Sequence, residues 1–202
     1  MANNTYGGFR FNKMRNGSRT PVVEVWPVAS GYATAIFRGD PVKKVDDGTI
    51  EVAAAGDTDI LGIADGVEQY NESGVLRKGN YLPASTTFSP STVGSVNESR
   101  VRVILARDTV FEVDADDGSS VTTVAAAHGV VGENCDHVAA AGSTATGRSA
   151  YALDISTHVA TAAQWRIVGI ASDPLNDVTS TRAKYLVEVN ESNQPQFSTS
   201  GD

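Results

Sequence analysis

A single cysteine, Cys135, stands in a chain of 202 residues, so no disulfide can form within it. Stability must come from a noncovalent core, and the composition fits a protein made in a reducing cytoplasm. Leucine is scarce as well: seven residues against twenty-five valines. β-branched side chains are stiff at χ1 and suit pleated surfaces, so this imbalance argues for sheet over helix. Long apolar runs are also missing. The best is Val103–Ala106, far short of the roughly 20 residues needed to span a bilayer. The first residues, MANNTYGGFRFNKMRNG, lack an apolar h-region, so no secretory signal and no membrane partner are expected. Without such a signal, the Asn-x-Ser/Thr sequons at Asn3, Asn16, Asn71, Asn97 and Asn190 mark only polar, exposed positions.

Basic residues are outnumbered, 16 to 24, which gives a net charge of −8 and a pI near 4.8. An acidic surface repels phosphate backbones and speaks against a nucleic-acid reader. The deficit is uneven. Residues 1–23 hold Arg10, Lys13, Arg15 and Arg19 and no acid, leaving −12 on the remainder. A basic arm on an acidic body either docks on something acidic, such as a neighbouring subunit, or lies solvated at the terminus.

What is present is a succession of strands and turns. Nineteen glycines, with many Asn, Asp and Ser residues, supply sharp corners. The chain is long enough to bury a core as one large or two small domains. Residues 1–20 read as an extended basic arm with Tyr6, Phe9 and Phe11 interleaved; these aromatics either anchor on a partner surface or pack back on their own domain. Residues 21–83 read as a first β subdomain, with strands in VVEVWPV, at Tyr32–Arg38, Thr49–Val52 and Ile60–Val67. Residues 84–99, rich in Ser and Thr, read as a linker loop. Residues 100–190 read as a second β subdomain, opening with the alternating strand Arg100–Ala106 and continuing through Thr109–Asp114. Further strands are predicted at Ser120–Val124, Ser149–Leu153, Gln164–Ala171 and Ala183–Asn190. Helical turns are predicted at Asn134–Ala141 and Ser156–Ala163, with Ser156 as N-cap. Residues 191–202 read as a polar tail. The fold class is mainly β: a β-sandwich or β-barrel-like body with short helical turns.

The motifs that invite chemistry fall short of it. Counting from Asp114 as an EF-hand loop puts Ser119 at the required glycine and Ala125 at the bidentate glutamate, so an ordinary turn is the better reading. Cys135, His128, His137 and His158 lack the paired spacing of a zinc site. Cys135 and His137 invite reading as a nucleophile pair, but a buried structural cysteine is the better reading. Gly142–Ser149 is rich in glycine and hydroxyls but lacks the lysine of a phosphate loop. Arg38-Gly39-Asp40 spells an adhesion tripeptide, yet Pro41 fits it to a strand-ending corner. No catalytic residue, metal or cofactor is expected.

Two segments resemble a known family. One is the series Gly39-Asp40-Pro41-Val42, Gly48, Ala55-Gly56-Asp57, Leu61-Gly62-Ile63-Ala64 and Gly66-Val67; the other runs through Thr109–Val113, Val131-Gly132, Gly142–Ser149, Ala152–Ile155, Arg166–Ile170 and Tyr185–Asn190. Together they are similar to the head decoration, or cement, proteins of tailed bacteriophages. That resemblance implies a homotrimeric protein without enzymatic activity, synthesised in the host cytoplasm and placed on the outer capsid surface. There it stabilises the mature, expanded head by bridging subunits of the major capsid protein. The capsid contacts expected on this reading are Tyr6, Phe9, Arg10, Phe11, Lys13, Arg15 and Arg19, clamped on an acidic shell. Alternatives are another virion component (head fibre base, connector or tail protein) or, further off, a β-class hydrolase.

Overall fold

The computed structural model describes residues 7–87, 98–116, 121–159 and 163–190. The chain is mainly β, with antiparallel sheets and little helix. In chain order the strands are β1 (Arg10–Met14), β2 (Val23–Val28), β3 (Ile36–Phe37), β4 (Pro41–Lys44), β5 (Ile50–Val52), β6 (Ile60–Glu72), β7 (Val75–Gly79), β8 (Tyr81–Leu82), β9 (Ser99–Leu105) and β10 (Thr109–Asp114). After helix α1 (Val124–Gly129) come β11 (Asn134–Cys135), β12 (His137–Val138), β13 (Ala152–Leu153), a 3-10 turn (Ile155–Thr157), β14 (Trp165–Ile170) and β15 (Lys184–Val189).

One sheet has the order β1-β10-β15-β14-β11. Its alternation is regular: Phe111, Val113, Trp165, Ile167, Tyr185 and Val187 are buried in the core, while Glu112, Arg166 and Leu186 lie between them on the other face. The second sheet has the order β2-β9-β6-β4-β5, with β7 on the far end of β6. Its edge strands β2 and β5 come within 8 Å of each other, so the sheet curls towards a barrel around Val42, Ile50, Val67, Val101 and Val103. Two-stranded pairs β3–β8 and β12–β13 complete the set.

Two glycines let these layers close. Gly62 sits where β6 crosses β9, and a Cβ there would lie 2.1 Å from the Ile104 carbonyl oxygen. Gly39 turns the corner before β4 at φ +101°, a left-handed conformation that a side chain strains. The corner is pinned by Asp40, whose Oδ2 accepts the Phe37 N–H at 2.7 Å.

Several expectations change. The division at residues 84–99 does not separate two sheets. β9 lies beyond it and pairs with β2 and β6, while β1, from the N-terminus, pairs with β10. One core joins Phe9, Ile60 and Ile63 to Phe111, Trp165 and Val187. The described part of the N-terminal arm is not extended away from the body: residues 10–14 form an edge strand, because Phe9 and the flanking β1 backbone find partners there. The strand expected at Ser120–Val124 gives way to α1. Thr123 caps it by accepting the Ala126 N–H, and the alanines that follow favour helix. The helical turn expected at Asn134–Ala141 is instead β11 and β12, since Cys135 and His137 are drawn into the core. Around Ser156 the described residues form a 3-10 turn capped by Asp154 rather than Ser156, and residues 160–162 of the expected turn lie outside the described residues.

Candidate contact surface

The basic residues near the N-terminus have divided fates. Tyr6 lies outside the described residues. Phe9 is 2% exposed and stacks on Trp165 with ring centroids 4.4 Å apart, so it is a core residue and cannot be a capsid contact. Phe11 is half-buried against the same core, opposite Phe111. Arg10 forms an ion pair with Glu112. Arg15 grips Glu188 through two bonds, at 2.8 and 2.6 Å. The charges that read as an arm therefore neutralise acids of their own sheet. Lys13 and Arg19 are exposed and share a shallow depression with Arg10, Asn12, Glu112 and Asp173.

A deeper feature lies where the two sheets meet. A groove of about 530 Å³ is floored by Phe11, Pro21 and Ile104, and its mouth carries Arg10, Arg38, Arg148 and Asp65. Arg38 and Arg148 come together through a parallel backbone bridge, with Arg38 N–H donating to the Gly147 carbonyl at 3.1 Å. Arg38 binds Asp65 at 2.8 Å, and Arg102 approaches the same carboxylate at 3.8 Å. Sequence reasoning named Phe9, Arg10 and Phe11 here but missed Arg38 and Arg148. No local pattern joins residues 110 apart in the chain.

The motifs with chemical overtones resolve into structure. Asp40 is 2% exposed, so the Arg38-Gly39-Asp40 tripeptide does not display its carboxylate. Burial pushes that carboxyl up to about 6, against the lowering effect of the Ser149 hydroxyl and the Phe37 N–H. Burial, and then the charge of Asp136, push the Cys135 thiol far above its usual range, which disfavours the nucleophilic thiolate. His137 faces elsewhere: Trp165 Nε1–H donates to its Nδ1 at 3.1 Å, and its Nε2 lies 3.0 Å from the Ala53 carbonyl. Gln164 Nε2 donates to the carbonyls of Ala54 and Asp57, at 2.8 and 2.9 Å. His158 pairs with Glu133. Among the described residues no group of three or more His, Cys, Asp or Glu is placed to hold a metal. No helix of the described residues is long and apolar enough to cross a membrane.

No protein-family model matches the chain, and comparison with curated proteins and with solved structures finds no similar one.

Proposed function

We propose that this protein is a capsid decoration protein of a tailed bacteriophage, one that binds the outside of the expanded head and bridges major capsid subunits. The observation that carries the reading is the series from Gly39 to Val67. Its glycine corners and its Leu61-Gly62-Ile63-Ala64 segment, which resemble those of cement proteins, lie in one antiparallel unit in which β4 pairs with both β5 and β6. The buried Gly39-Asp40 corner and the close β6–β9 crossing at Gly62 give those letters an architectural purpose. On this reading the protein performs no chemistry and holds no cofactor. It is made in the host cytoplasm, works as a homotrimer on the virion surface, and has neither nucleic acid nor membrane as partner.

The mechanism is added interface. A specific contact buries roughly 1,600 Å² in total, and binding only the expanded lattice stabilises that state by mass action. A trimer multiplies the effect, because its second and third contacts form at high effective concentration. The basic side chains free to meet an acidic shell include Lys13 and Arg19, since Arg10 and Arg15 are held by Glu112 and Glu188.

Co-sedimentation with expanded and unexpanded heads of the cognate phage tests the reading. Saturable binding to expanded heads, at hundreds of copies per particle, is the expected result. Binding at a dozen copies or fewer would point to a connector or tail component, and no binding to either form would overturn the proposal.

A further inference from the structure

We infer that the groove between the two sheets is a docking site for an acidic, partly apolar segment of another polypeptide. The inference goes beyond the shell-binding reading and does not depend on it.

The groove combines two features that seldom meet on an acidic surface. Its floor is apolar, built from Phe11, Pro21 and Ile104, and it continues onto the exposed Val23, the cross-strand neighbour of Ile104. Its mouth is cationic. Asp65 is the acid among the lining residues, and its carboxylate is already approached by Arg38 and Arg102. Arg10 faces Glu112 across the rim. Arg148 remains: its guanidinium is exposed and, among the described residues, has no ion pair or side-chain hydrogen bond, while Ser143 N–H donates to its backbone carbonyl at 2.9 Å. An exposed guanidinium on a hydrogen-bonded backbone is a ready fork for a carboxylate.

These features specify the occupant. A net charge of −8 on the whole chain repels acidic partners in general, so a local excess of guanidinium over carboxylate selects where such a partner can land. An aliphatic or aromatic side chain on the floor would exclude water from the adjacent carboxylate–Arg148 contact, which strengthens it. A volume of about 530 Å³ accommodates a few side chains, and because the groove opens to solvent it lets a chain enter and leave at its ends. An extended segment with an acidic residue beside an apolar one meets all of these conditions.

The test uses a fluorescein-labelled Glu-Phe-Glu-Val-Glu peptide and a Lys-Phe-Lys-Val-Lys control, titrated with the full-length protein and followed by anisotropy at low salt. The acidic peptide should bind saturably and the basic one should not. In a ¹⁵N-labelled sample the amide shifts should centre on Phe11, Ala64 and Arg148. Arg148→Glu should weaken binding by about tenfold or more, as loss and reversal of a charge-assisted contact would. Lys44→Glu, an equal charge change at the exposed end of β4 outside the groove, should alter it by no more than about twofold through screened long-range charge. Neither side chain has a partner among the described residues, so both variants should keep the parent's melting curve, which checks that they fold. Absence of saturable acidic-peptide binding, equal binding of the basic peptide, or equal weakening by the two variants would each overturn the proposal.

Discussion

The imidazole of His137 sits between two partners that leave it one protonation state. Nδ1 accepts from Trp165, so Nε2 must carry the proton and donate to the Ala53 carbonyl. A second proton would put two donors face to face in a buried site, and burial accordingly lowers the imidazole's pKa. In the unfolded chain the ring takes its proton near pH 6.5. Its contribution is therefore complete above that pH and is lost as pH falls below it. His137→Gln keeps one donor and one acceptor; its thermal midpoint should fall at pH 8 by the equivalent of about 2 kcal/mol yet vary less than the parent's between pH 6.5 and 5. A parallel pH dependence in both proteins would show that His137 is not the group responsible. Asp40 acts with the opposite sign. Its folded value near 6 exceeds the usual 3.8, so above pH 6 the fold bears the cost of ionising a buried carboxyl, and below 3.8 it does not. Asp40→Asn should stabilise the protein by on the order of 3 kcal/mol at pH 8, the free-energy equivalent of that shift, with the gain gone at pH 3.5. Denaturant unfolding at the two pH values measures this directly.

At the scale of the element, β1 decides what the N-terminus is. Phe9 stacks on Trp165 and β1 pairs with β10 from Arg10↔Glu112 to Met14↔Thr109, with a register shift between Phe11 and Lys13. Removing residues 2–20 would therefore strip an edge strand and open the core above Trp165, where an arm could have been removed without harm. Phe9→Ala alone should cost about 3–5 kcal/mol, read as a lower denaturation midpoint with red-shifted tryptophan emission. Full stability in that variant would restore the free-arm picture. Crossing strands make a second demand: Gly62→Ala places a Cβ against the Ile104 carbonyl and should cost about 3 kcal/mol, since backbone on both sides must move apart. The strands legible in the sequence are those with sustained β-branched alternation, such as β9, β10, β14 and β15. Strands fixed only by their neighbours were not legible: β4 begins on a proline, and β7 reads Val-Leu-Arg-Lys-Gly with its apolar residues exposed. The basic side chains of the candidate surface were plain to see, but their partners were not. Glu112 and Glu188 lie 102 and 173 residues from the arginines they bind, beyond the reach of any local pattern.

Across the whole molecule, the chain laces its two main sheets together. The first half supplies β1 to the sheet built by the second half, and the second half returns β9 to the centre of the other sheet, between β2 and β6. Each half alone would therefore lack a strand: residues 1–97 would leave β2 without its neighbour, and residues 98–202 would expose Trp165 and Phe111 where Phe9 and β1 belong. The His137 and Gln164 bonds to Ala53, Ala54 and Asp57 add polar ties across the same division. A molecule so connected should unfold in one cooperative transition, because neither sheet can open without uncovering the core of the other. Fragments 1–97 and 98–202, expressed separately, should show little near-ultraviolet circular dichroism. Mixed in equal amounts they should regain the parent spectrum, since the lacing strands can pair between fragments as they do within the chain. A native-like spectrum and a cooperative melt from either fragment alone would mean that the halves are independent domains and that the interlaced strands add little to stability.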